Sequence, residues 1–62
     1  MDRHNGRLIL RRRDTEQIVI GEGGDQVVVT VLGAKEAVRL AIESPRHINV
    51  DRYEIAKRKG LV

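Results

Sequence analysis

The chain has 62 residues, no cysteine, one proline, one aromatic residue and a formal charge of +3, with an isoelectric point near 10.0. That length allows one domain, and a monomer so small buries only about 60% of its unfolded surface. Disulfides, thiolate metal sites and an aromatic plug are excluded as staples, and His4 and His47 stand too far apart in sequence to suggest a zinc set, so oligomerisation is the staple that remains.

Residues 1–7 form a polar extension that lacks the apolar stretch of a signal peptide. Whether it is ordered the sequence leaves open; a single domain is expected over residues 8–62. Leu8-Ile9-Leu10-Arg11-Arg12-Arg13, an apolar run turning basic, predicts a first strand. Alternation puts Arg12 on the face of Leu8 and Leu10, with Arg11 and Arg13 opposite. Gln17-Ile18-Val19-Ile20-Gly21 predicts a second strand and Glu22-Gly23-Gly24-Asp25 a turn. A phosphate loop is a poor reading of these glycines, because a valine-rich strand follows them rather than a helix N-terminus.

Gln26 to Leu32 carries the strongest strand signal. Val27, Val29 and Val31 line one face and Val28, Thr30 and Leu32 the other, and β-branched residues suit a pleated sheet. Apolar residues on both faces call for more cover than one short chain supplies. Lys35-Glu36 predicts a tight turn, and Ala37 to Ile42 a fourth strand with Val38, Leu40 and Ile42 on one face and Arg39 on the other. Glu43-Ser44-Pro45 is expected to break that strand, since proline cannot donate to a ladder. Arg46 to Val50 predicts a weaker last strand.

The period then changes. Asp51-Arg52-Tyr53-Glu54 has the form of a capping box, and Arg52 to Lys59 predicts a helix of about two and a half turns. Gly60 is its expected stop. So short a helix must dock, and Ile55 and Leu61 are the expected contacts. The fold class is therefore mainly β: five short antiparallel strands plus a short C-terminal helix. No apolar run approaches the roughly 20 residues that cross a bilayer, so a cytoplasmic protein without membrane contact is expected.

The only serine is Ser44, beside Pro45, and the carboxylates lie next to basic residues or in turns. No nucleophile or tuned acid/base pair results, so neither an enzyme nor a cofactor is expected. The basic residues gather instead at the two ends, Arg3 to Arg13 and Arg52 to Lys59, which points to an acidic partner. Arg11-Arg12-Arg13 can neutralise phosphates or fork onto a guanine edge. The same run also reads as a solvated guard on an edge strand. By themselves, Leu10, Val50 and Ile55 read as core and Arg52 as a solvated residue at the helix start.

The motifs occur in a familiar order: Leu8-Ile9-Leu10-Arg11-Arg12-Arg13, Gln17-Ile18-Val19-Ile20-Gly21, Val29-Thr30-Val31-Leu32-Gly33, Val38-Arg39-Leu40, Ser44-Pro45 and Val50-Asp51-Arg52-Tyr53-Glu54-Ile55. This set resembles the carbon storage regulator (CsrA/RsmA) family of bacterial translational regulators, over residues 8 to about 59. The resemblance implies an interlocked, strand-exchanged homodimer that binds GGA-containing RNA, usually in mRNA leader hairpin loops, and controls translation initiation or mRNA stability. It implies RNA contacts from Leu10, Arg12 and Arg13 of one chain and Val50, Arg52 and Ile55 of the other, with Arg11 a further candidate. A sequestering small RNA or a protein antagonist is a partner class it leaves open.

The chain departs from the family pattern in several places. Arg7 stands where the initiator methionine is expected, Arg11 where a small hydroxyl residue is usual, and Asp51 where a histidine is common. The Gly23-Gly24 turn is longer than usual, the Lys35-Glu36 turn shorter, and the tail ends almost at the helix. These departures motivate an alternative: a divergent paralogue acting by protein–protein interaction, heterodimerising with or antagonising a standard family member. A third reading is an unrelated small β-barrel that binds nucleic acid by charge alone.

Overall fold

Runs of valine, isoleucine and leucine at alternate positions build five strands, and their pairing divides them between two sheets. The computed structural model describes residues 5–62; residues 1–4, including His4 and most of the polar extension, lie outside them. In chain order the elements are β1 (Asn5–Arg12), β2 (Gln17–Ile20), a single 3-10 turn at Gly23–Asp25, β3 (Val27–Thr30), β4 (Val38–Pro45), β5 (Val50–Arg52) and α1 (Tyr53–Arg58). β1 pairs antiparallel with β4 along its whole length, with Leu10 opposite Leu40 and Arg11 opposite Arg39. The second sheet has the order β3-β2-β5, also antiparallel. The helix follows β5 directly and packs on β5 and β2.

Central position explains the core. Ile18 and Val19 of β2 are both buried, and as consecutive strand residues they face opposite sides, so both faces of β2 are covered. Leu10 of β1 and Ala56 of α1 complete the buried apolar set. β3, by contrast, is exposed along its whole length. Val27, Val28 and Val29 lie open to solvent together with Leu8, Ile9 and Leu32, the last 78% exposed. The valine strand is apolar on both faces, as its sequence indicates, and one chain leaves it uncovered.

Several boundaries differ from the sequence expectation, β3 among them at Val27–Thr30 rather than 26–32, and those of β1, β4 and β5 have a local reason. β1 starts at Asn5 rather than Leu8, because β4 continues through Glu43 and Ser44 to pair with the earlier residues. Pro45 does not break β4 early. It sits opposite Asn5 at the end of the ladder, where a missing donor costs little. The chain reverses just after it, with the Ile48 N–H donating to the Pro45 carbonyl at 3.0 Å. Residues 46–49 are consumed by that reversal, so the last strand is Val50–Arg52 rather than 46–50. Its ladder with β2 starts where the Gly21 N–H reaches the Asn49 carbonyl at 2.8 Å.

The capping box does not form. Arg52 occupies the N-cap position and no side chain caps the helix, which spans six residues rather than the eight expected. Asp51 is committed to the β5 ladder opposite Val19, and Glu54 turns instead toward Arg12. The C-terminus is better sealed. Gly60 takes φ 80°, the Leu61 N–H donates to the Ala56 carbonyl at 2.9 Å and the Gly60 N–H to the Lys57 carbonyl at 3.0 Å. That is a Schellman ending, for which a left-handed glycine is suited. Gln26 Nε2 then donates to the Leu61 carbonyl at 2.8 Å, pinning the tail beside the start of β3. Among the described residues no helix is long and apolar enough to cross a membrane.

Because Ile18 is fully buried in the central strand, Ile18→Ala should cost about 2–5 kcal/mol. Urea unfolding at fixed protein concentration measures it, and a loss under about 1 kcal/mol would mean that the site collapses around the gap.

Candidate nucleic-acid interface

The alternation of β1 sorts its arginines into two kinds. Leu10 and Arg12 point inward and are 5% and 4% exposed, whereas Arg11 and Arg13 are exposed on the other side. Arg12 does not lie free under the surface. Its Nη1 donates to the Gln17 carbonyl at 2.8 Å and to Glu54 Oε1 at 3.1 Å, and its Nη2 to Glu54 Oε2 at 2.8 Å. Glu16 Oε1 lies 3.2 Å from Nη2. The two parallel bonds to Glu54 form the fork geometry in which guanidinium and carboxylate bind best. Arg12 Nε is the one buried side-chain N or O without a partner among the described residues.

Titration behaviour follows from this pairing. The hydrogen bonds from Arg12 hold the Glu54 carboxyl below its usual range, with desolvation opposing weakly. The same bonds keep the Arg12 guanidinium protonated in spite of its burial. Arg12 thus joins the end of β1 to the start of β2 and to α1 within one chain.

Arg13 opens the turn into β2. Its N–H donates to Glu16 Oε1 at 2.6 Å, and its carbonyl accepts the Glu16 N–H at 3.0 Å. The turn is tight enough to hold Thr15 at φ 69°, an uncommon conformation for a β-branched residue. Asp14 Oδ1 accepts the N–H groups of Gly33 and Ala34 at 2.6 and 3.2 Å, which locks this turn against the loop after β3. Arg13 is left exposed on a rigid mount.

The remaining expected contacts lie on β5 and α1. Arg52, opposite Ile18, is exposed; Val50, opposite Ile20, and Ile55 are half-buried. Val50 lines an open concavity of about 460 Å³ together with Leu8, Ile42 and Ile48 and the cations Arg7, Arg46 and Lys59. Arg11 and Arg13 line a separate one of about 430 Å³ with Lys35. Leu10, Arg52 and Ile55 line neither, so the expected residues do not share one cleft within a single chain. What one chain does bring together is Arg12 and the helix start, through Glu54.

Two groups near this surface were not legible as site residues. Glu54 and Glu16 hold Arg12, although Glu54 lies 42 positions away in sequence. Lys59 Nζ meets Asp51 Oδ1 at 3.0 Å, so the acid that would repel a phosphate next to Arg52 is neutralised by an ion pair rather than by capping. A capping-box pattern pointed to the wrong partner for both acids.

Fold and charge together define a small, basic, mainly β module whose arginine-bearing strand and β5 both keep an open edge. A family model described as the CsrA global regulator protein family matches residues 8–60, and the chain belongs to that family. The chain is similar to proteins named translational regulator CsrA from several bacteria. It is 43% identical over 49 residues to that of Exiguobacterium sp. strain AT1b (77% of this chain, 61% of the relative). For Pseudarthrobacter chlorophenolicus the figure is 39% over 51 residues (81% and 62%), and for Thermotoga petrophila 45% over 49 residues (77% and 55%). The alignments thus span between 55% and 62% of the length of these relatives. No solved structure gives a significant match to the chain.

Removing the charge of Glu54 leaves a buried guanidinium short of its main partner. Glu54→Gln should therefore destabilise the protein by about 1–3 kcal/mol in urea titrations at pH 7. The depressed Glu54 titration sets the sign of the pH effect: its stabilisation is complete above the ordinary carboxyl value of 4.5 and is lost as pH falls through the lower folded value. The difference between the parent and Glu54→Gln should accordingly shrink below pH 4.5. A gap that persists into acid would assign the effect to packing rather than to charge.

Proposed function

We propose that this chain is a sequence-specific RNA-binding regulator that binds GGA motifs in mRNA leader hairpin loops as an interlocked homodimer. It would control translation initiation or mRNA stability from the cytoplasm. The observation that carries the reading is the pair of open edges on β1 and β5, in a chain of the CsrA family. A row of unsatisfied N–H and C=O groups is a template for another strand. Pairing β1 of one copy with β5 of the second would fuse the two half-sheets in the order β4-β1-β5-β2-β3. It would also cover part of the apolar surface that a single chain leaves open at Leu8, Ile9 and Val27 to Val29.

That union would bring Leu10, Arg12 and Arg13 of one copy beside Val50, Arg52 and Ile55 of the other, twice per dimer. An unpaired RNA loop exposes base edges and faces that backbone groups, apolar side chains and arginines can read together. Arg13 and Arg52, both exposed, would supply the forks to phosphate or guanine. Leu10 and Ile55 would supply apolar contact. Arg12 would act from beneath, since its bonds to Glu54 fix the helix start that carries Arg52 and Ile55. The Asp51–Lys59 pair supports RNA binding over the antagonist-paralogue reading, because it removes the free carboxylate, one of the departures that motivated the latter. A small RNA displaying several GGA loops, or a protein covering Arg52, would act as an antagonist by competing for the same surface.

Binding at controlled salt to a GGA-loop hairpin and to the same hairpin without GGA tests the reading. A clear preference for GGA is expected, and equal affinities would remove sequence-specific recognition. Arg52→Ala should lose about 1–3 kcal/mol of binding to the GGA hairpin, with an unchanged urea midpoint. Sedimentation should return a dimer of the 7.0 kDa chain; a monomer at micromolar concentration would overturn the interlocked assembly.

A further inference from the structure

The outer face of the β1–β4 ribbon has a charge pattern that neither the fold nor the GGA site requires. Register places Arg7 opposite Glu43, Ile9 opposite Ala41 and Arg11 opposite Arg39 on this face. The first pair is of opposite sign, its charged atoms 3.9 Å apart. The third is two arginines directly across from each other, an arrangement that destabilises an antiparallel pair. Arg13 stands just past the end of β1, and it and Lys35 join Arg11 around the concavity of about 430 Å³. All four cations are exposed, and among the described residues none of them makes an ion pair.

The acids nearby do not balance them. Asp14 and Glu36 line the same concavity, two carboxylates against the four cations, and one oxygen of Asp14 is engaged by two backbone N–H groups. Two facing arginines, with a third beside Arg11 in the same concavity, present several N–H donors in planar forks, a geometry matched to phosphate oxygens. A phosphodiester between Arg11 and Arg39 would turn their repulsion into two attractions.

We propose that this face is a phosphodiester-binding track, formed by Arg11, Arg39, Arg13 and Lys35, that holds the RNA backbone flanking the recognised loop. The inference rests on the function proposed above and deepens it. Arg13 is the joint, since it belongs both to the expected loop contacts and to the outer row. The occupant is a nucleic-acid backbone rather than an acidic protein because the centre of the patch is cationic. Protein interfaces instead concentrate aromatic and apolar groups at their centre and deplete charge there. Contacts of this kind strengthen binding without reading sequence.

Arg39→Glu provides the test, because it recreates at Arg11 the opposite-charge pairing already present between Arg7 and Glu43. The urea midpoint should hold or rise. Affinity for a GGA hairpin carrying single-stranded flanks should nevertheless fall about tenfold at low salt. The slope of log affinity against log salt should flatten by about 0.7 for each phosphate that is no longer neutralised. The preference for GGA over the control hairpin should not change. Arg11→Thr should show the same flattening with a smaller fall in affinity. Intact GGA binding with unchanged affinity and salt slope in Arg39→Glu would overturn the track alone, whereas absence of RNA binding by the parent protein would overturn the proposed function with it. A loss restricted to GGA-bearing RNA would make these residues readers of sequence and also overturn the track. So would full RNA affinity combined with failure to bind a poly-glutamate probe, which would assign the face to an acidic protein.

Discussion

The geometry of this chain turns on the guanidinium of Arg12. Two sheets that share no ladder have to be held at a fixed angle by something other than backbone hydrogen bonds. The buried apolar set, Leu10, Ile18, Val19 and Ala56, is too small to define that angle through packing alone. Arg12 does so by reaching the Gln17 carbonyl at the head of β2 and both oxygens of Glu54 on α1. A charge placed among so few apolar neighbours carries a desolvation penalty of several kcal/mol. It is offset only if the donors are engaged together, so the arrangement tolerates little displacement of β1 against the helix. Rigidity here comes from a polar group that has few alternatives.

The same shortage of core shapes the rest of the chain. β2 is covered on both faces, yet β3 beside it is covered on neither. Among the described residues, the outer edges of β1, β4, β3 and β5 all end without a partner. For an isolated domain this would be an aggregation hazard. For a chain that exchanges strands with a copy of itself it is half of an interface. An interlocked dimer would enlarge the core and close edges in a single step. It would also place residues from opposite ends of the sequence, where the positive charge is concentrated, side by side.

Much of the architecture is legible because β-branched alternation is a local signal. The pattern of β2, β3 and β4 can be read residue by residue, and the glycine at position 60 stops the helix as expected. Sequence and structure part where a residue has two physically reasonable partners. Asp51 and Glu54 fit a capping box in one dimension, but in three dimensions Lys59 and Arg12 compete for them and win. Pro45 has the chemistry of a strand breaker, although at a ladder terminus it forfeits only one donor. Arg12 shares a face with Leu10 in sequence, which identifies it as inward-pointing, but nothing local can name an acid 42 positions away as its holder. The proposed convergence of Leu10, Arg13, Val50, Arg52 and Ile55 is not local either, and one chain does not bring them into one cleft.

Three consecutive arginines therefore carry different duties, and strand alternation is what separates them. Arg12, on the inward side, has both terminal nitrogens engaged by Glu54, Gln17 and Glu16 and cannot leave without unlocking the helix. Arg11 and Arg13, both exposed, make no ion pair among the described residues. An acid at position 39 would face Arg11 with opposite charge, as Glu43 faces Arg7 on the same side of the ribbon. A like-charged pair kept near the end of a regular ladder sacrifices some stability of the free protein. That sacrifice makes physical sense when the protein's working state includes a polyanion, because repulsion in the free protein then becomes part of the driving force for binding.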